Sequence, residues 1–371
     1  MHPQMMASDS ETAQGRASVT SIVVMVDELS AAIEFLRVEG GFDLHWIHPA
    51  DAPRAARLSR DSTILDLEIG TPRSQTIRVE QKQSPGRFLD GPSGLRIEFV
   101  VEPRLTVPAV VEETALYPGD AEGRWHTGRA GMEYRDLVPT RFGGAIIASN
   151  IRIRKGGPVP DYVHFHDVLF QLIYCRRGWV EVVYEDQGEP FILEAGDCVI
   201  QPPEIRHRVL RNSDAMEVIE IGYPAEHLTR VEPVMTLPNN PTPTPRTWSG
   251  QTFVRYDQNS RVWNESSVGV LTSDTGIFAA TRGLAHVELV RLDASAKHHI
   301  GSVGDGAQRV IVAVDGHGRV ATSRAEQTFA EGGTITLRPS DEATITSDTG
   351  LTVLNVVIDT SKDPSYWRPM V

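Results

Sequence analysis

Cysteine is scarce in this chain: Cys175 and Cys198 are the only two among 371 residues. Two thiols supply neither a disulfide framework nor the clustered spacing of a zinc site. They read as small core side chains in a reducing, cytoplasmic setting. Basic residues are short as well. Lys and Arg total 36 against 49 Asp and Glu, a formal charge of -13 with histidine neutral. Nucleic-acid grooves and anionic membrane surfaces need concentrated Lys and Arg, so neither is an expected partner. Long apolar runs are missing: nothing approaches the ~20 residues of a membrane-spanning helix. No helix-turn-helix pattern occurs, which argues against a transcription factor. Residues 1–17 lack the charged-then-apolar order of a secretory signal and read as a disordered lead. The rest is ordinary for a globular protein, with 40% hydrophobic and 23% charged residues, and the length suits two or three domains.

The apolar pattern divides the chain. Thr20 to Asp27 (TSIVVMVD) is strand-like. Asp27 sits where a helix N-cap is expected, and LSAAIEFL then places apolar residues at helical spacing up to Gly40-Gly41. Further strands are expected at 43–47, 62–69, 76–80 and 95–101. Residues 18–103 therefore read as a small α+β module of β-α-β-β-β (βαβββ) order, followed by a Pro-, Glu- and Gly-rich linker over 104–124. Residues 125–236 carry short strand-like runs such as AIIASNIRI, FQLIYC, WVEVVYED and MEVIEIGY, separated by Gly and Pro turns. That rhythm belongs to a sandwich or barrel. Four prolines within Leu237 to Arg246 make a stiff linker, taken as 237–248. Residues 249–371 repeat the rhythm with AHVELVRL, RVIVAVDG, GGTITLRP and LTVLNVVI, an internal though diverged repeat. The fold class expected is mainly β.

One stretch asks for a chemical explanation. Val163 to Gln171 reads VHFHDVLFQ. Alternate side chains of a strand share a face, so His164 and His166 point the same way. Downstream lies AGDCVIQPPEIRHRVLRN, in which a Gly-Asp turn leads a strand, a Pro-Pro turn follows, and His207 comes next. A barrel would bring that third imidazole across to the first pair. Three neutral imidazoles suit a divalent first-row metal and leave coordination positions open.

Residues 157–178 and 196–212 resemble the two signature motifs of the cupin superfamily. The first is carried by His164, His166, Gln171 and Gly178, the second by Gly196, Pro202 and His207. The resemblance implies a jelly-roll β-barrel over roughly 125–225, with a metal held by these three histidines inside one end. The family commonly supplies a Glu where this chain has Gln171, so the implied metal has no anionic protein ligand. Gln171 is then expected to hydrogen-bond a metal-bound water or the substrate. Glu204 replaces a usual Gly, and Asn212 falls one residue late. Cys175 is expected to point inward with Gln171 and Ile173, as a core residue. Arg206 and Arg208 flank His207. Arg206 is the candidate for a bidentate contact with a substrate carboxylate, the alternative being that both arginines face solvent. Tyr162 and Phe165 are candidates for pocket walls, and Tyr162 also for proton transfer.

The C-terminal repeat resembles a second, degenerate cupin barrel. Gly333 and Pro339 keep the spacing of Gly196 and Pro202, but Thr344 stands where His207 would, and His298 and His299 are adjacent and so point opposite ways. Residues 18–103 resemble one module of the glyoxalase and vicinal-oxygen-chelate superfamily, in which Glu98 matches a metal-ligand position and Thr20 or Ser21 stands where a ligand is common. One module is half of that family's cup, so the metal site there is expected to be lost and the module to be structural or dimerising, which together with barrel edges favours a homodimer. The function these resemblances imply is an Fe(II)-dependent dioxygenase acting on a small chelating organic substrate. Zn(II), Mn(II) or Ni(II) in a redox-neutral lyase, isomerase or hydrolase is the alternative, and a non-catalytic ligand-binding bicupin is a third.

Overall fold

The computed structural model describes residues 20–49, 52–81, 86–100, 105–119, 124–239, 246–323 and 325–362. The lead at 1–17 and the Pro-rich residues 240–245 lie outside them. The chain divides into two compact units, residues 1–104 and 105–371.

In the first unit the strands Ile22–Val26, Asp43–His48, Ala55–Arg60 and Thr63–Ile69 and the helix Leu29–Val38 follow a β-α-β-β-β order. The first strand pairs parallel with the fourth, and the others add antiparallel. A three-stranded sheet of Gln75–Glu80, Arg87–Asp90 and Leu95–Val100 completes it. Ala55–Arg60 and Arg87–Asp90 were not expected, because their charged and small residues mask the alternation. Leu36, Leu58, Leu67 and Ile97 form the core. The expected cap fails. Glu28, not Asp27, occupies the N-cap position and caps nothing. The Asp27 carboxylate instead accepts from Ser93 Oγ at 2.5 Å. Glu98 is paired with Arg78 at 2.8 Å, and Ser21 Oγ donates to Asp66 at 2.5 Å. Neither residue belongs to a metal-holding group of His, Cys, Asp or Glu among the described residues.

The second unit is built almost wholly of antiparallel strands. Seven of them, including Ile147–Ile153, Phe170–Arg177, Cys198–Ile200 and Met216–Tyr223, form one sheet. A six-stranded sheet holds His164–His166, Trp179–Tyr184, His207–Asn212 and Thr229–Val231. The motif glycines Gly178 and Gly196 have φ of +69° and +103°, values that only glycine adopts without strain. A ten-stranded sheet follows, from Asn264–Ser267 to Leu351–Asp359. Two boundaries differ from expectation. Ala115–Tyr117, read as linker, pairs with Thr334 to Thr336. Val254–Tyr256, beyond the Pro-rich segment, adds an edge to Cys198–Ile200.

The strand Phe170–Arg177 explains why its sequence hides a two-residue period. Leu172 and Tyr174 pack outward into a core shared with Val310, Val312, Leu354 and Val356 of the C-terminal sheet. Cys175 packs inward with Val180, Val182 and Val218, and partly buried Ile173 lies against them. A strand buried on both faces reads as a continuous apolar run. His298 is half-buried and His299 exposed on Lys297–Ile300, as adjacent strand residues must alternate. Among the described residues no helix is long and apolar enough to cross a membrane.

Candidate metal centre

Strand register assembles the three histidines. His164 lies directly opposite His207 in the antiparallel pair between their strands. Their rings are 4.3 Å apart between centroids, the distance expected of facing residues on one sheet face. His166, two residues on, shares that face, with its ring 5.2 Å from each of the other two. One ligand nitrogen from each ring lies within 4.8 Å of the others.

The outer nitrogen of each ring is tied down. Nδ1 of His164 donates to the Tyr162 carbonyl at 2.8 Å, and Nδ1 of His207 to the Ile205 carbonyl at 2.9 Å. Nδ1 of His166 lies 3.0 Å from Thr229 Oγ1. A carbonyl can only accept, so the proton of those two rings is on Nδ1 and the lone pair on Nε2. Burial is the leading cause that lowers the pKa of all three, and mutual repulsion among the rings adds to it for His166 and His207. Neutral imidazoles grouped in this way are what a divalent cation needs, so these residues fit one once the cation takes the place of Arg129, which here donates to Nε2 of His164 at 3.0 Å. Replacing Thr229 with Val removes the hydroxyl that steadies His166. Metal affinity is expected to fall about tenfold in a chelator competition, with the fold unchanged.

The histidines open on a cavity of about 290 Å³, near the lower limit of roughly 300–1,000 Å³ for ligand pockets. It suits a small molecule. Its walls are mostly apolar, among them Ile151, Ile173, Val182, Val209 and Met216. Tyr184 stacks on His207 at 5.5 Å, and its hydroxyl accepts from Gln201 at 2.8 Å. Tyr134, also lining the cavity, is pushed up to about 12 by burial and stays a neutral phenol.

Sequence reasoning missed several polar residues of this cavity, Arg129, Glu220 and His227 among them. Arg129 donates to Nε2 of His164 at 3.0 Å and to the fully buried carboxylate of Asp161. Asp161 also accepts from the Val209 N–H at 2.9 Å, which anchors the pair to the sheet. Glu220 lines the cavity and accepts from Gln171 Nε2 at 2.6 Å. His227 places its ring 5.2 Å from His166. None of them lies in a motif. Alternation from the two apolar neighbours of Glu220, Ile219 and Ile221, was the available signal for that residue alone.

Gln171 lines the cavity, and Glu220 lines it as well, outside the cluster of mutually close donor atoms, which among the described residues holds no carboxylate. Arg206 and Tyr162 are not cavity residues. Arg206 neighbours inward-facing His207 and so faces out, stacked over Phe165 at 4.1 Å and 3.5 Å from Glu232. Tyr162 is 45% exposed; its carbonyl orients His164, and its ring lies edge-on to His164 at 6.0 Å and 5.7 Å from the Arg129 guanidinium, on the outer side of the site. Cys175 is buried in the core rather than at the cavity, and burial pushes its thiol up to about 12.

The family model described as "Cupin domain" matches residues 150–222, the stretch that holds all three histidines. No curated protein matches the chain. Among solved structures, a mutant oxalate decarboxylase of Bacillus subtilis superposes with a TM-score of 0.50 at 14% identity, over 70% of this chain and 80% of that one. An oxalate decarboxylase of Lactobacillus farciminis gives 0.50 at 13% identity, over 69% and 88%. A salicylate 1,2-dioxygenase mutant from Pseudoaminobacter salicylatoxidans gives 0.47 at 12%, over 68% and 85%. At such identities the likeness to the decarboxylases is one of fold. The chain thus contains a cupin-superfamily domain whose three-histidine cluster can coordinate a divalent metal.

Proposed function

We propose that the protein is a metal-dependent cupin enzyme in which His164, His166 and His207 hold Fe(II) and a small, anionic, chelating organic substrate is oxidised by dioxygen. The observation that carries this reading is the convergence of three neutral imidazoles on a small, mostly apolar cavity. His164, His166 and His207 would hold Fe(II), which would supply a Lewis acid and a redox centre there. The chain's own residues do the positioning. Arg129, held by Asp161, offers its guanidinium to a substrate carboxylate or enolate as a charge-assisted donor. Tyr184 fixes the His207 face, and the aliphatic walls exclude water from the reacting groups.

A redox-neutral lyase using Zn(II), Mn(II) or Ni(II) is the second reading, favoured by one observation. Glu220 puts a carboxylate in the cavity that can accept a proton. The experiment is oxygen uptake by anaerobically Fe(II)-loaded protein with diphenols, β-diketones and thiols. Oxygen consumed in step with substrate supports the dioxygenase. Turnover without oxygen uptake favours the lyase, and protein that takes up no metal overturns both.

The remaining organisation follows the same reading. Residues 125–236 form the metal-binding barrel and 249–371 a degenerate second one. The β-α-β-β-β order over Ile22–Ile69, with its parallel first and last strands, supports a half glyoxalase-type module within 18–103, completed in a homodimer.

A further inference from the structure

We infer that His227 selects the substrate: its Nε2 accepts a hydrogen bond from the bound molecule, so the cavity favours a chelating acid that carries a further hydroxyl beyond its chelating pair. This rests on the metal-enzyme reading above and deepens it by naming the substrate class.

A glycine makes room for the ring. Gly222 lies opposite Ile147 on one neighbouring strand and Gln171 on the other. It shares the inward face with Glu220, two residues back, because alternate strand residues do. A Cβ at 222 would stand 3.1 Å from Ile147 Cγ2 and 3.9 Å from His227 Cε1. The chain turns after Tyr223, and the imidazole returns over the space that Gly222 leaves. There it lines the cavity of the three histidines and meets the His166 ring nearly at a right angle, at 87° and 5.2 Å between centroids. It does not belong to the group of mutually close donor atoms. Its place is beside the metal centre.

One ring nitrogen is committed. The Pro224 carbonyl lies 3.1 Å from Nδ1 and can only accept, so Nδ1 carries a proton. In the neutral ring Nε2 is then an acceptor, and it has no protein partner among the described residues. Other polar side chains of the cavity are engaged: Thr229 with His166, Gln201 with Tyr184, and Arg129 with Asp161. His227 is partly exposed, so solvent reaches it. A ligand that fills the cavity takes that solvent away. If it brings an O–H, one hydrogen bond replaces another. If it brings a C–H, Nε2 is left unpaired against an apolar surface. That asymmetry discriminates between ligands more strongly than the bond itself stabilises. Arg129 offers a cation to the acid group and His227 an acceptor to the hydroxyl, so the two contacts read different parts of one molecule.

The full chain is loaded with Co(II), and its visible spectrum is titrated with 2-hydroxybenzoate and with 2,3-, 2,4- and 2,5-dihydroxybenzoate. The four acids share one chelating pair, and three of them carry the extra hydroxyl in different directions. At least one dihydroxy acid is expected to bind the wild type about 10-fold more tightly than 2-hydroxybenzoate does. His227→Phe is expected to abolish that preference while keeping the wild-type affinity for 2-hydroxybenzoate and for Zn(II), the latter read against a chromophoric chelator. His227→Gln keeps an acceptor and is expected to restore part of the preference. A wild type without the preference overturns the inference, as does a preference that survives in His227→Phe. A loss of Zn(II) affinity of about 10- to 100-fold in His227→Phe overturns it too, because the ring then serves the metal. Melting of each apoprotein checks the fold. If the Phe variant does not fold, His227→Ala takes its place with the same expected outcomes. Wild-type protein that binds no metal, or that binds metal and none of the four acids, sinks the enzyme reading itself. Metal and 2-hydroxybenzoate bound with a preference indifferent to His227 sink only the role given to this residue.

Discussion

The His166→Ala variant is expected to lose tight metal binding and all metal-dependent turnover while keeping its fold. His166 supplies one of three donors, and among the described residues no carboxylate belongs to the cluster to hold the ion in its place. Structural zinc sites with four ligands bind with an apparent ~10–16 kcal/mol at neutral pH, so one ligand is worth roughly 3 kcal/mol, or about 100-fold in affinity. The loss falls on a site with little reserve, because Arg129 already sets a positive charge 3.0 Å from a ligand nitrogen of His164. Folding rests elsewhere. The two cores around the site are closed by aliphatic side chains such as Leu172, Ile219 and Val182, none of which needs the imidazole. Chelator competition and melting of the apoprotein are the measurements. Undiminished metal affinity in this variant would remove His166 from the ligand set.

The Arg129→Met variant is expected to separate metal from substrate. Removing a fixed cation beside His164 should leave metal affinity equal to or above that of the wild type, since like charges no longer oppose the incoming ion. Turnover of an anionic substrate should fall. Truncating one partner of a buried charge pair costs about 2–5 kcal/mol, roughly 30- to several-thousand-fold in kcat/KM. A complication arises from Asp161, whose side chain is 0% exposed and would be left without its cation. A stranded buried charge of this kind costs a few kcal/mol of stability, about 3–5 in measured pairs. The companion Arg129→Met/Asp161→Asn removes that charge, so it should recover stability but not activity. Steady-state kinetics on metal-loaded protein, with melting curves for both variants, give the answer. Equal losses for anionic and neutral substrates would show that Arg129 only supports the fold.

Alternation along single strands made much of the site legible. His164 and His166 had to share a face, and the turn chemistry around Pro202 and Pro203 aimed His207 back at them. The same rule, applied to Arg206, would have turned it away from the cavity, since its neighbour His207 points in. Of the two readings open for Arg206, carboxylate partner or solvent-facing, the geometry supports the second. Asp27 shows an error of position, a residue of the right type one position from the cap and engaged by Ser93 instead. Arg129 and His227 were beyond reach because each comes from a separate segment, and no local spacing ties them to the histidines.

The amino-acid order by itself determined the β character of residues 125–362, the three imidazoles and the turns that set their strands, because these depend on period, on glycine's freedom and on proline's restriction. Tertiary structure alone decided which charges share the cavity. Cross-strand register placed Glu220 diagonal to Gln171 and His207 opposite His164. Packing against the C-terminal sheet buried the second face of Phe170–Arg177. Such neighbours are set by the pairing of distant segments, and distance along the chain carries no record of it.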